Sequence, residues 1–310
     1  MFQPPLNLTD AEVLDLVRSG WCHSVDRVEH LAVGFGAHHW RAEQASVPIW
    51  FVTYDRFSDR HTASSLAAAY TGAIQLADGG LQFVLAPALA RSGDVLLPIV
   101  DGALSCTPWV TGKVVGEGPL IDAATAAQNI ADLTRLHAFP PPEQIPRWKP
   151  VIGPDLGVRL EYLVAEPWET GPYAEPARAV VAQRLTDVHV WTERYLELAA
   201  VAVDRRWVAT HGETHTANQL RTADGIRFVD WESLKLAPRE RDLSTLVQAG
   251  WGNHVRADRA MVELSDLEWR LSEIDAYAAW FAAPHTGTKD DRVAYGGLQG
   301  ELGRSPWWRS

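Results

Sequence analysis

The stretch between Trp207 and Glu232 constrains this 310-residue chain more than any other. Residues 207–210 form a short apolar strand. A polar loop follows, His211-Gly212-Glu213-Thr214-His215-Thr216-Ala217-Asn218. Two strand-like runs, 218–221 and 226–229, then flank an Asp224-Gly225 turn. An Asp-Gly pair between two such runs is a hairpin signal. That hairpin brings Asn218 and Asp230 to neighbouring strand ends. An amide oxygen and a carboxylate there can hold Mg²⁺, a hard cation that prefers oxygen ligands. Glu213, five residues before Asn218, can sit beside an acceptor hydroxyl. Such geometry serves phosphoryl transfer, where catalysis is mostly positioning and charge stabilisation.

The rest of the chain falls into a β-rich first part and a helical second part. Residues 8–19 read as a helix, with Thr9 as N-cap and Glu12 three positions on. Residues 25–33, 40–44 and 48–54 read as antiparallel strands around the turn Gly34-Phe35-Gly36. Residues 60–77 have apolar positions at helical spacing. Residues 81–90 and 95–99 suggest a strand pair around Arg91-Ser92-Gly93-Asp94, and 103–110 another strand. The Gly-containing breaker from Gly112 to Gly118 marks a boundary between an N-lobe, 1–112, and a C-lobe, 113–310. Helices are expected at 123–137, as one or two over 175–203, and finally at 265–283. Residues 140–150 are a Pro-rich loop, and 140–175 carry no readable pattern. This is the order of an α+β, two-lobed protein.

The net charge of −11 argues against nucleic acid as a partner, because such binding rests on Lys and Arg neutralising phosphates. It suits a cationic small molecule, although ordinary solubility charge is the plainer reading. Cys22 and Cys106 lack metal-ligand spacing and read as thiols of a reducing compartment. No signal-peptide pattern opens the chain. No apolar run approaches the ~20 residues that span a bilayer. A cytoplasmic protein without a membrane partner is expected. Trp307-Trp308 can dock on the core or on a second subunit, so monomer and homodimer both remain open.

The segment from His211 to Glu232, with Pro238-Arg239-Glu240-Arg241-Asp242-Leu243, resembles the His-Gly-Asp-x-His-x-x-Asn … Asp-Trp-Asp/Glu … Pro-x-x-Arg-Asp-Leu signature of aminoglycoside phosphotransferases. The tail from Leu236 to Leu243 is most similar to the spectinomycin-type branch. A weaker likeness runs through the Gly turn, the hinge-like Thr107-Pro108-Trp109-Val110-Thr111-Gly112, and Arg135-Leu136-His137. The resemblance implies a protein-kinase-like fold, a nucleotide co-substrate (ATP or GTP) and Mg²⁺. It implies that Asn218 and Asp230 bind the metal, that His211 supports the loop, and that Asp242 braces it. Gly34, Gly36 and Thr53 fall where the family binds the nucleotide. Trp231 reads as packing. His215 reads as structural or acceptor-facing, with structure favoured.

Two departures stand out. The family's acceptor-orienting Asp is Glu213 here, one methylene longer. The Lys that holds the α/β-phosphates on the third strand is replaced by Thr53, and the first lysine in the whole chain is Lys113. The helix at 60–77 has no acidic residue to pair with such a lysine. Arg41, Arg56 or Arg60 can supply a cation, or can be surface arginines, the favoured reading. His38 and His39 can approach a phosphate or be solvated. Glu263, Asp266, Glu268, Glu273 and Asp275 can face an aminated substrate or form a wet helix face, the latter favoured. The leading expectation is transfer of a γ-phosphate to a hydroxyl of a small, cationic, aminoglycoside-like molecule, as in antibiotic resistance. The alternatives are a weak or inactive pseudokinase-like binding protein and nucleotidyl transfer.

Overall fold

The computed structural model describes residues 1–58, 61–116 and 121–304. Helix α1 (Asp10–Gly20) begins at a reciprocal cap. The Glu12 amide donates to the Thr9 hydroxyl (3.3 Å), and the Thr9 amide donates to the Glu12 carboxylate (2.7 Å). Strands β1 (Arg27–Leu31), β2 (His38–Gln44) and β3 (Val47–Arg56) follow, then α2 (Ala63–Asp78), β4 (Leu97–Ile99) and β5 (Gly102–Pro108). The strands form one antiparallel sheet in the order β1-β2-β3-β5-β4. Alternation sends Trp40, Val52, Tyr54, Leu104 and Cys106 to one face, where they bury Val13 and Val17 of α1. His39, Phe51, Thr53 and Asp55 therefore share the opposite face.

The strand pair expected over 81–90 and 95–99 does not form. Only β4 is a strand there, and its partner is β5. The preceding segment binds elsewhere: the Phe228 amide donates to the Phe83 carbonyl (2.7 Å), and the Leu85 amide to the Phe228 carbonyl (3.0 Å). The turn around Arg91-Ser92-Gly93 exists nonetheless, closed by the Ala90 amide on the Asp94 carbonyl.

Downstream lie β6 (Lys113–Val114), α3 (Ala123–Ala138), α4 (Leu156–Val164), α5 (Ala174–Gln183) and α6 (Leu185–Ala202). Next come β7 (Trp207–Thr210), β8 (Gln219–Thr222), β9 (Gly225–Phe228), β10 (Lys235–Pro238) and α7 (Glu240–Leu246). Helices α8 (Arg259–Ala282) and α9 (Lys289–Gly303) follow. The helix expected at 265–283 thus starts earlier, where Asp258 caps the Ala260 amide (3.0 Å), and it is not the final one. Glycine-rich α9 carries a weak helical signal, and its start is fixed by a Thr288–Asp291 capping box. The mixed α+β class, sheet first and helices later, is as the sequence reads.

Contacts divide the chain into two compact units. One comprises Met1–Trp148 and Trp207–Val255, and the other Lys149–Arg206 and the chain from Arg256 onward. The second is helical. In it Glu263 pairs with Arg194, Asp266 with Arg304, Asp275 with Arg159, and Glu268 accepts from the Tyr195 hydroxyl. These carboxylates were expected on a wet face. Glu263 and Asp266 are instead buried.

Candidate active site

Strand β7 delivers the polar loop, pairing antiparallel with β10 so that Thr210 faces Lys235. The loop then turns through Gly212 at φ +93°. A side chain there is excluded twice, because a Cβ would also lie 2.0 Å from the Arg241 guanidinium. Arg241 in turn donates to the Ser233 carbonyl (2.9 Å) and the Thr210 hydroxyl (3.1 Å).

Asp242, fully buried, is the loop's anchor. Its carboxylate accepts from the His211 amide (3.1 Å), the Gly212 amide (2.6 Å) and His137 Nε2 (2.9 Å). Burial alone would raise its pKa. The bond to His137 and the charges and amides around it hold it below the ordinary carboxylate value. The Thr214 hydroxyl closes the bracket on the Asp242 carbonyl (2.8 Å). Gln219 Nε2 supports the loop from β8 by donating to the Thr214 carbonyl (2.7 Å).

His211 is fully buried, and burial pushes its pKa down. Nε2 faces the Val229 carbonyl (2.8 Å), while Nδ1 accepts from the Glu213 amide (3.2 Å). Both bonds fit one neutral tautomer, protonated on Nε2. The ring thus ties the loop to the residue preceding Asp230. Trp231 packs beside it with ring centres 4.5 Å apart and donates its indole N–H to the Phe228 carbonyl.

The hairpin brings the sequence-derived residues together. Gln219 pairs with Phe228 in the β8–β9 register, and the Val229 amide donates to the Asn218 carbonyl (3.0 Å). Asp230 leaves the hairpin in the left-handed region (φ 64°, ψ 64°), uncommon for a residue with a side chain. The Asn218 amide nitrogen donates to the Glu213 carbonyl (3.1 Å) and lies 3.4 Å from His215 Nε2. Those two contacts fix the orientation of the amide. The buried Glu213 carboxylate accepts from the Ser233 hydroxyl at 2.7 Å, and His215 Nε2 stands 3.9 Å from its other oxygen.

Gly34 and Gly36 adopt φ of +70° and +108°, which explains the glycines. Thr53 lies on β3, its hydroxyl 3.2 Å from His39 Nδ1. The two histidines are not at the tip of the turn but begin β2, on opposite faces. His38 stacks on Tyr54 in the α1-facing core. Arg41 pairs with Glu29 and Glu43 in the sheet, and Arg56 with Asp101 in the turn between β4 and β5, so both serve local carboxylates. Arg60, Gly118 and Trp307-Trp308 lie outside the described residues.

Sequence reading missed several participants. Ser233 and Arg241 carry no signal outside their motif. Two positions beyond Thr53 on β3, Asp55 accepts from the Tyr70 hydroxyl of α2 (3.0 Å). Burial, and the charge of Glu232 nearby, push the Asp55 pKa well up. Glu232 lies 3.3 Å from His61. A buried acid on a strand end and a tyrosine on a helix are individually silent in sequence, and only the packing makes them a pair.

Comparisons with known proteins give the family and the fold. Protein StrN of Streptomyces griseus is 29% identical over 263 residues, 79% of this chain and 77% of that protein. Spectinomycin phosphotransferase APH(9)-Ia, solved with ADP and spectinomycin, superposes with a TM-score of 0.72 at 15% identity, covering 94% of each chain. A microcompartment-associated aminopropanol kinase gives 0.62 at 15% identity, covering 94% of this chain and 95% of its own. These likenesses establish the kinase-like fold. The model of the phosphotransferase enzyme family, APH, matches residues 36–280, and the chain belongs to that family.

Proposed function

We propose that the chain transfers the γ-phosphoryl group of a nucleoside triphosphate to a hydroxyl of a small molecule. The observation that carries this reading is the convergence of Glu213, Asn218 and Asp230 on one loop-and-hairpin unit. Glu213 is fixed by Ser233 (2.7 Å) and the Asn218 amide is oriented by the Glu213 carbonyl (3.1 Å). Catalysis of this kind needs little covalent chemistry from the protein and much fixed geometry.

The donor set fits Mg²⁺. Asn218 presents an amide oxygen and Asp230 a carboxylate, and Mg²⁺ is usually held by one or two such groups with phosphates completing its shell. When bound, the metal would neutralise charge on the phosphates. Glu213 would accept hydrogen-bonding from the acceptor hydroxyl and orient it for attack. Ser233 would hold that carboxylate in place despite the longer side chain. Gly34, Gly36 and Thr53 would face the phosphates, and Phe51 and Trp109, ring centres 6.4 Å apart, would line the same face towards the base. A net charge of −11 suits a cationic, aminoglycoside-like acceptor. No helix among the described residues is long and apolar enough to cross a membrane.

The test is turnover of ATP and GTP with a panel of aminated and neutral alcohols, read as acceptor-dependent nucleoside diphosphate release. Asp230→Asn should abolish activity and remove the Mg²⁺ dependence of nucleotide binding. A second reading rests on the lysine-free N-lobe: a protein that binds nucleotide without turnover. It predicts a thermal shift with Mg-nucleotide, but no phosphorylated product from any acceptor and no gain in Glu213→Asp.

A further inference from the structure

A phosphate site in this lobe needs a donor beneath the glycine turn, and no lysine precedes Lys113. The β3 face offers Asp55, then Thr53, then Phe51. Asp55 lies against Tyr70 and near Glu232, so this face starts beside the Asp230 loop and leads towards the turn. The direct cross-strand partner of Thr53 is His39 on β2. His39 Nδ1 lies 3.2 Å from the Thr53 hydroxyl, and the ring packs against Phe51 with centres 4.8 Å apart. A Cβ built on Gly34 would lie 3.1 Å from His39 Nε2. The far edge of the imidazole therefore lies against the backbone of the turn. In the G-x-G-x-x-G loop that covers phosphates in protein kinases, Gly34 and Gly36 take the first two places and His39 takes the third. Where a long cation on β3 would need a glycine opposite, a short Thr53 is opposite a histidine.

We propose that His39, positioned by Thr53, is the phosphate-contacting group of this lobe, supplying from β2 the donor that a lysine supplies from β3 in protein kinases. Its ligand is the polyphosphate of a nucleoside di- or triphosphate. The inference rests on the phosphotransferase reading above. The pair has one hydrogen to spare whichever way its bond runs. If Thr53 donates to Nδ1, the ring proton sits on Nε2, towards the turn. If Nδ1 donates to Thr53, the hydroxyl proton is released for a phosphate oxygen. Burial first, then the amino group of Met1, His38 and His30, hold the His39 pKa down at about 3, so the ring of the free protein is neutral. Phe51 and Gly34 keep it in place without consuming Nε2.

The experiment measures dissociation constants of the full chain for ADP, Mg-ATP and adenosine by calorimetry. His39→Phe keeps a ring against Phe51 but removes the donor. It should weaken ADP and Mg-ATP by about 10- to 100-fold, as expected for one hydrogen bond to a charged group, and leave adenosine unchanged. The double variant His39→Gly with Thr53→Lys places a cationic donor on β3 and opens room opposite, and should restore ADP affinity. Unchanged ADP affinity in His39→Phe overturns the proposal. So does an equal loss for ADP and adenosine, which would mark His39 as packing only. If the unsubstituted chain binds no nucleotide at all, the phosphotransferase reading itself falls. Should His39→Phe fail to fold, His39→Gln, which retains an amide donor, must match the unsubstituted chain while His39→Leu loses ADP selectively.

Discussion

Ser233 donates its hydroxyl to the Glu213 carboxylate across 2.7 Å, so that carboxylate is held from the segment that also carries Asp230. Rates in pre-organised sites fall ~10²-fold for a 1 Å misplacement. Ser233→Ala is therefore expected to lower kcat by about tenfold or more, with KM for nucleotide little changed, and Ser233→Thr to retain activity. Glu213→Gln should lose ~10²- to 10⁴-fold in kcat, the usual contribution of a positioned general base. Steady-state kinetics on the three variants decide this.

Asp242 is a buried carboxylate with three donors on it. Asp242→Ala strips those donors of their acceptor and should cost about 3–5 kcal/mol of stability, measured by urea unfolding. The pH sign follows from its lowered pKa. The folded value lies below the unfolded one, so Asp242 stabilises fully above the ordinary value of 3.8 and the gain is lost as pH falls through the folded value. The wild type should lose stability below about pH 4 more steeply than Asp242→Asn.

The motif segment was legible because chemistry fixes both its residue types and their spacing. Asp-Gly at 224–225 gave the hairpin, and the hairpin gave the meeting of Asn218 with the strand leading to Asp230. Thr9 and Glu12 gave α1 for the same local reason. What sequence did not disclose depends on long-range partners. Residues 81–85 look like half a hairpin until Phe228 takes their hydrogen bonds. Thr53 stands out in sequence as the lysine replacement and His39 as a turn residue, but only the β2–β3 register sets them opposite each other. Glu213 reads as a misfit until Ser233, twenty positions later, is found holding it.

Gly212→Ala tests the packing under the loop. The left-handed backbone costs an alanine ~1 kcal/mol, and the Arg241 guanidinium, 2.0 Å from the added Cβ, must also move. A loss of about 2–4 kcal/mol is expected, within the range of overpacking plus backbone strain. Thermal unfolding reads it. The double variant with Arg241→Ala should recover the steric part but not the backbone part.

Asp55 should behave in the opposite sense to Asp242. Burial and Glu232 raise its pKa, so the stability it contributes is complete below the unfolded value of 3.8 and declines as pH rises towards the folded one. Asp55→Asn keeps an oxygen for the Tyr70 hydroxyl and carries no charge. It is expected to raise Tm at pH 7–8 by several degrees, on the order of 1 kcal/mol, with no gain at pH 4. A Tm that drops at both pH values would show that Asp55 is held ionised.

The unit that holds the polar loop is discontinuous in sequence, Met1–Trp148 joined by Trp207–Val255. During synthesis, α3 and the N-lobe sheet emerge long before β7, β10 and Asp242, which they await across the whole of Lys149–Arg206. His137 leaves the ribosome without its carboxylate partner, and Phe83 without the Phe228 amide that donates to its carbonyl. A nascent chain stalled before residue 242 thus exposes apolar surface and half-finished polar contacts at once. Chaperone dependence during synthesis should follow that interval rather than the length of the chain.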